Sequence, residues 1–235
     1  MKATEFKCQV KSNRMLTPTV FELTFETEQP LEFTAGQFVS VIVPGAGPKG
    51  RDLRRAYSIA SSPEIRPIEL CVKLVEDGPG TNYLYSLHDG SEFRGVAPYG
   101  DFVYRTHSAK NACFIATGTG IAPFRSMAFS TQYKEAPPSK AFCWLGVRTE
   151  SELMYVDEFN NIPNLEFVPM LSRPDKPWSG FTGRVTDYMK ALPSSFPWLE
   201  TEYYLCGNGE MITEVKAILA DHGVPKEHIH QEKYY

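Results

Sequence analysis

The densest chemistry in the first third of the chain lies in four consecutive residues, Arg55-Ala56-Tyr57-Ser58. A guanidinium can neutralise a pyrophosphate bidentately, a phenol ring can stack on an isoalloxazine, and a hydroxyl can hydrogen-bond the ring nitrogen that gains and loses hydride. An ordinary strand end could have the same composition. Gly80-Thr81-Asn82 follows at the start of a short helix expected over Tyr83–Leu87, where free backbone N–H groups and the helix dipole favour an anion. The alternative there is a Gly78-Pro79-Gly80 turn with Thr81 as an N-cap.

The clearest motif is Thr117-Gly118-Thr119-Gly120-Ile121-Ala122-Pro123, between an apolar run and a helical one. Glycines let the backbone approach a pyrophosphate, and the helix N-terminus supplies donors; the spacing departs from G-x-G-x-x-G, and a plain strand-to-helix turn also explains the glycines. Leu205-Cys206-Gly207-Asn208 ends a later apolar run, at the edge where open α/β sheets bind ligands. Cys206 could reach a reacting nicotinamide there, or be a small buried hydrophobe. The tail Gln231-Glu232-Lys233-Tyr234-Tyr235 carries two aromatics with no evident core to fill, suited to stacking or to an ordinary frayed terminus.

These segments need positioning elements. Up to about residue 105 the chain reads as short strands, at Phe6–Val10, Val20–Phe25, Gln37–Val43, Ala56–Ala60, Ile68–Val75 and Glu92–Ala97, parted by Gly and Pro clusters. That pattern predicts an antiparallel β-barrel. From Asn111 apolar runs alternate with helical periods: Ala112–Ala116 then Pro123–Tyr133, Ala141–Val147 then Ser151–Phe159, with further runs at Leu165–Leu171 and Tyr203–Cys206 and helices at Arg184–Ala191 and Gly209–Asp221. This predicts a parallel-sheet α/β domain. The polar stretch Tyr104–Lys110 suits a linker, giving domains 1–105 and 106–235.

Composition excludes several classes. With 42% apolar and 22% charged residues the chain is ordinary for a globular protein. Its five cysteines lack C-x-x-C spacing, which argues against zinc, iron–sulfur and disulfide frameworks and for reduced thiols in a cytoplasm. The N-terminus has no apolar signal core, and no run is long enough to span a bilayer. A net charge of −4 gives no support for nucleic-acid binding. One loop, Pro48–Arg55, is nonetheless basic and could steer an acidic partner.

Taken in order, R-x-Y-S, the Gly80-Thr81 helix start, G-T-G-I-A-P, a strand ending in G-V-R, L-S-R, C-G-N and a terminal aromatic resemble the ferredoxin-NADP(+) reductase superfamily over nearly the whole chain. The resemblance implies an FAD-binding barrel and an NAD(P)-binding α/β domain. It implies that Arg55 holds the FAD pyrophosphate, that Tyr57, next to Ala56, stacks on the isoalloxazine, and that Ser58 faces N5. Gly80 and Thr81 would meet FAD phosphates, and the backbone at Val72 the ring or ribityl chain. Thr117, Gly118, Thr119, Gly120, Ile121 and Pro123 would take the NAD(P) pyrophosphate. Cys206, Gly207 and Glu232 would surround the nicotinamide and N5, with Tyr235 covering the flavin face until displaced. Arg148, Ser172, Arg173 and Arg184 fall where the family meets the 2′-phosphate, which favours NADP(H), although L-S-R also occurs in relatives that prefer NAD(H).

The expected activity is therefore hydride exchange between NADP(H) and FAD, with single electrons passing to or from a ferredoxin or flavodoxin docked near Arg51 and Arg54, by a cytoplasmic monomer. Those arginines could instead serve only the FAD phosphates and adenosine. An NAD(P)H-dependent flavin reductase or an oxygenase reductase component is the rival enzyme, and a nucleotide-sensing or assembly module without turnover is the non-enzymatic alternative.

Overall fold

The computed structural model describes residues 2–106 and 111–234, which fall into two compact units. The first comprises the chain up to Tyr104 together with Ala122–Thr131. Its six antiparallel strands are β1 (Thr4–Thr17), β2 (Val20–Thr27), β3 (Phe38–Val43), β4 (Leu53–Ser58), β5 (Ile68–Lys73) and β6 (Glu92–Tyr99). They lie in the order β4-β3-β6-β1-β2-β5, and an antiparallel bridge from Ile59 to Leu70 joins the two ends into a barrel.

Alternation drives the barrel. Phe21, Leu23 and Phe25 of β2 and Val39, Val41 and Val43 of β3 point into one core, each such side chain contributing about 1.5–3 kcal/mol by leaving water. On the outer face of β2, buried Glu22 accepts from Arg14 Nε at 2.9 Å and Nη2 at 2.6 Å.

β1 runs well beyond the expected Phe6–Val10, through the polar stretch Lys11-Ser12-Asn13-Arg14. It pairs with β6 over Thr4–Gln9 and with β2 over Cys8–Thr17, with register shifts after Val10 and Met15 that bend it between partners. Its polar side chains find partners: Asn13 Nδ2 donates to the carbonyls of Leu84, Tyr85 and Leu87 at 2.9–3.1 Å. Those carbonyls end α1 (Pro79–Ser86), which begins earlier than the expected Tyr83 because Pro79 suits a first helical position.

The second unit holds a six-stranded parallel sheet in the order β10-β9-β8-β7-β11-β12, formed by β7 (Asn111–Thr117), β8 (Lys140–Val147), β9 (Leu165–Leu171), β10 (Phe181–Thr182), β11 (Thr201–Asn208) and β12 (Ile229–Tyr234). Sequence order runs outward in both directions from between β7 and β11, so the topological switch point lies at their carboxyl ends. The central strands are buried over Ala112–Ala116 of β7 and Thr201–Gly207 of β11 because both faces are covered. Ile115, Trp144 and Leu205 pack with Val185 and Met189 of α5 (Val185–Lys190) and with Val215 of α6 (Gly209–Asp221).

Three local readings are corrected. The helix expected over Pro123–Tyr133 breaks into α2 (Ala122–Phe129), which packs with the barrel, and α3 (Thr131–Glu135). Ser130 parts them, its hydroxyl donating to Met127 O at 2.7 Å. The helix expected over Ser151–Phe159 becomes a 3-10 turn at Glu150–Glu152 and α4 (Val156–Asn160), because Tyr155 stands in the left-handed region at φ 58°. The tail is a sixth parallel strand as far as Tyr234.

Candidate functional site

In the barrel unit, β4 is an end strand, and Arg54, Arg55 and Ala56 are exposed on it, Tyr57 half-buried and Ser58 buried. The start of α1 closes directly on this strand. A Cβ built at Gly80 would lie 2.5 Å from Tyr57 Oη and 2.8 Å from Arg55 Cγ, so only glycine permits the approach. Two residues of β4 and a third more than twenty positions later thereby share one surface: a cation, an aromatic plane and a helix start whose first N–H groups have no intrahelical partner. Burial pushes the Tyr57 phenol up to about 12 against the lowering influence of the Arg55 cation, so the ring stays neutral.

Thr81 is not the N-cap, which is Gly78. Its hydroxyl ties the loop together, donating to Gly78 O at 3.1 Å and accepting from Val75 N–H at 3.2 Å. The side chain of Val72 is in the barrel core, which leaves its backbone as the part able to meet a ligand.

At the switch point of the second unit, the turn after β7 locks against the end of β11. A Cβ at Gly120 would overlap the Cys206 carbonyl, and one at Gly207, where φ is 133°, would overlap the Thr117 hydroxyl. Asn208 N–H donates to Thr117 Oγ1 at 2.9 Å, while its side chain caps α6 by accepting from Glu210 N–H at 2.7 Å. Gly118 has φ 53° and, among the described residues, nothing within 4 Å of where its Cβ would be. A backbone turn held open at a helix start has the donors and room a pyrophosphate needs. Thr119 and Ile121 lie in the same turn, Ile121 buried, and Pro123 is the second residue of α2.

Cys206 sits in β11 opposite Glu232 of β12, with Gly207 opposite Lys233. Burial, then the charge of Glu232, pushes the Cys206 thiol well up, with a Tyr234 hydrogen bond opposing. It is a neutral, fully buried thiol. Tyr235 lies outside the described residues.

Further along the same carboxyl edge, Arg148 follows β8, Ser172 and Arg173 follow β9, and Arg184 caps α5 just beyond β10. Arg173 N–H donates to Arg148 O at 2.8 Å, and Ser172 N–H and Oγ donate to Val147 O at 3.0 and 3.2 Å. All three guanidinium groups are on exposed residues, and none has an ion pair among the described residues.

Sequence reasoning named Asn208 within C-G-N but missed that its side chain caps α6, although an Asn before a helical run is a cap signal. It also missed Arg125 and Glu69, whose pairing depends on the fold. Among the described residues no cluster of His, Cys, Asp and Glu could hold a metal, and no helix is long and apolar enough to cross a membrane. The five cysteines are free and buried.

Comparison with known proteins agrees with both halves. Residues 7–104 match the oxidoreductase FAD-binding domain, and residues 114–217 match the oxidoreductase NAD-binding domain. The ferredoxin–NADP reductase B of Sorangium cellulosum (strain So ce56) is 33% identical over 100% of this chain and 99% of its own length.

The chain belongs to the ferredoxin-NADP(+) reductase superfamily.

As a member it is an oxidoreductase that binds FAD and NAD(P), and the convergence of Gly80 on Arg55 and Tyr57 and the open turn at Gly118 fit those two groups. A ferredoxin NADP+ reductase from Neisseria gonorrhoeae, solved with bound FAD and NADP, has the same fold, with a TM-score of 0.85 over 100% of both chains at 24% identity. The family is broad: the reductase component of phenol 2-monooxygenase from Pseudomonas sp. (strain CF600) is 31% identical over 94% of this chain, which spans 63% of that relative.

Proposed function

We propose that the protein draws hydride from NADPH onto FAD and passes electrons singly to a ferredoxin or flavodoxin. The observation that carries this reading is the trio Arg148, Arg173 and Arg184, exposed at the carboxyl ends of β8 and β9 and beyond β10. A 2′-phosphate is a dianion that guanidinium groups bind bidentately, and NADH has none.

In this reading residues 1–105 form the flavin domain and residues 106–235 the NADP(H) domain with its tail. Arg55 and the first turn of α1, at Gly80 and Thr81, bind the FAD phosphates. Tyr57 supplies the stacking surface beside Ala56, the backbone at Val72 borders the ring system, and Ser58 holds a hydrogen bond at N5. The Thr117–Ile121 turn, with Pro123 fixing the helix that follows, binds the NADPH pyrophosphate, and Ser172 joins the arginines at the 2′-phosphate. Gly207 gives the nicotinamide room beside Cys206, whose neutral thiol packs without acting as a base, and Glu232 tunes the proton at N5. When bound, the flavin accepts a hydride and releases the electrons one at a time, chemistry that is the cofactor's own.

Arg51 and Arg54 are exposed and, among the described residues, form no ion pair, whereas Asp52 between them is held by Arg94 at 2.7 Å. An acidic carrier would be steered to them. Arg51→Glu with Arg54→Glu is expected to slow NADPH-driven reduction of a ferredoxin or flavodoxin by about tenfold or more at low salt, with the difference shrinking as salt rises. A salt-independent rate equal to that of the unaltered protein contradicts acidic-carrier docking. The likeness to the phenol 2-monooxygenase reductase component supports a second reading, service to an oxygenase. Saturable reduction of added riboflavin, with neither carrier reduced, would favour the flavin-reductase form of the rival.

A further inference from the structure

The four residues after Ser58 form a loop buried to within 2% of full exclusion, and a buried loop is stable only if its backbone polar groups are paired. Ile59 N–H donates to Gln37 O at 3.0 Å and Ala60 N–H to Glu69 O at 2.8 Å. Ser61 Oγ accepts from Glu69 N–H at 3.1 Å, and Ser61 O accepts from Ser126 Oγ at 2.7 Å in a buried bond. Arg125 Nη1 donates to Ala60 O at 3.1 Å and pairs with the Glu69 carboxylate. The Arg125 guanidinium also lies 5.9 Å from the Phe129 ring centre, and its side chain and that of Glu69 are only 15% and 19% exposed. Glu69 therefore grips the loop through its backbone and through Arg125, and α2 supplies both Arg125 and Ser126.

We infer that Arg125 and Glu69 are positioning residues for Ser58: their pair fixes the backbone at Ala60, two residues from Ser58, and so sets where the Ser58 hydroxyl stands. The inference rests on the reading of Ser58 as the flavin N5 partner. A hydroxyl bonded to a ring nitrogen acts over a narrow range of distance, and a displacement of about 1 Å at a reacting centre can cost on the order of a hundredfold in rate. Neither residue needs to touch the flavin for this. Removing Arg125 leaves the Ala60 carbonyl and the Glu69 carboxylate with unmet charge and hydrogen-bonding demands in a largely closed site, which the loop relieves by shifting.

A double-mutant cycle separates this role from general support of the fold. In the FAD-loaded protein, Arg125→Met is expected to slow anaerobic flavin reduction by NADPH between about tenfold and a hundredfold and to shift the visible absorption bands and midpoint potential of the flavin. In a Ser58→Ala background the same change should do far less, because the hydroxyl it places is already gone; a ratio of the two effects of about threefold or more supports the inference. A ratio below about threefold, or band and potential shifts as large without Ser58 as with it, overturns it. If Arg125→Met does not fold, Glu69→Gln, nearly isosteric, carries the same cycle to the same two outcomes. A wild-type protein that takes up no FAD overturns the flavin reading and this inference with it; an FAD-loaded wild type with additive variants overturns the inference alone.

Discussion

At Arg148, Arg173 and Arg184 a chain of net charge −4 concentrates cations on one sheet edge, where among the described residues no carboxylate forms an ion pair with their guanidinium groups. If they bind a 2′-phosphate, replacing either Arg173 or Arg184 alone with Ala should lower kcat/KM for NADPH by between about tenfold and a hundredfold, leaving NADH within about threefold, since hydrogen bonds to charged groups are worth about 1.5–3 kcal/mol each. Equal losses with both dinucleotides would assign these arginines to something the two share. Tyr57 and Cys206 bear on the chemistry in another way. Burial holds the phenol near 12 and the thiol far above its usual range, so both stay protonated at working pH and neither serves as a base. What the sequence shows at this scale is residue type; which residues meet is hidden, because Gly80 lies more than twenty residues from Arg55 and only the fold sets a glycine against that side chain.

Among the elements, the turn after β7 and the end of β11 form one structural piece. Gly207→Ala would put a Cβ into the Thr117 hydroxyl at a φ of 133° that side chains rarely adopt. The expected result is a destabilisation of about 1–3 kcal/mol, read as a lower melting temperature, with weaker dinucleotide binding and retained FAD. Unchanged nucleotide affinity would show that the contact is dispensable. Leu165–Leu171 and Gly209–Asp221 have the bounds their apolar periods suggested. Elements whose signals are non-local were harder to read. β12 carries Gln231, Glu232 and Lys233, whose charge and polarity suit a tail, and it becomes a strand because β11 offers it a free edge. The polar middle of β1 lies beyond the expected Phe6–Val10, and its place in a strand becomes clear only where Asn13 satisfies the last carbonyls of α1. Tyr155 broke a well-formed helical period through a left-handed backbone that no neighbouring residue announces.

In the whole molecule, the two halves follow different periodicities, alternation in the barrel and βαβ units in the parallel sheet, and each encloses its own aromatic-rich core. The pattern of apolar residues made that contrast legible. It did not reveal that Ala122–Thr131 packs with the barrel, because the period of α2 is the same whichever core receives Phe124 and Met127. Two nucleotide-binding halves in one oxidoreductase make a single central claim, that electrons enter from a nicotinamide and are held on a flavin. The most direct test is the visible spectrum of the FAD-reconstituted protein during an anaerobic titration with NADPH and, separately, NADH. The account predicts flavin bands that bleach with either dinucleotide present in stoichiometric amount, and far faster with NADPH. A protein that takes up no FAD, or bound flavin that neither dinucleotide bleaches, would contradict it.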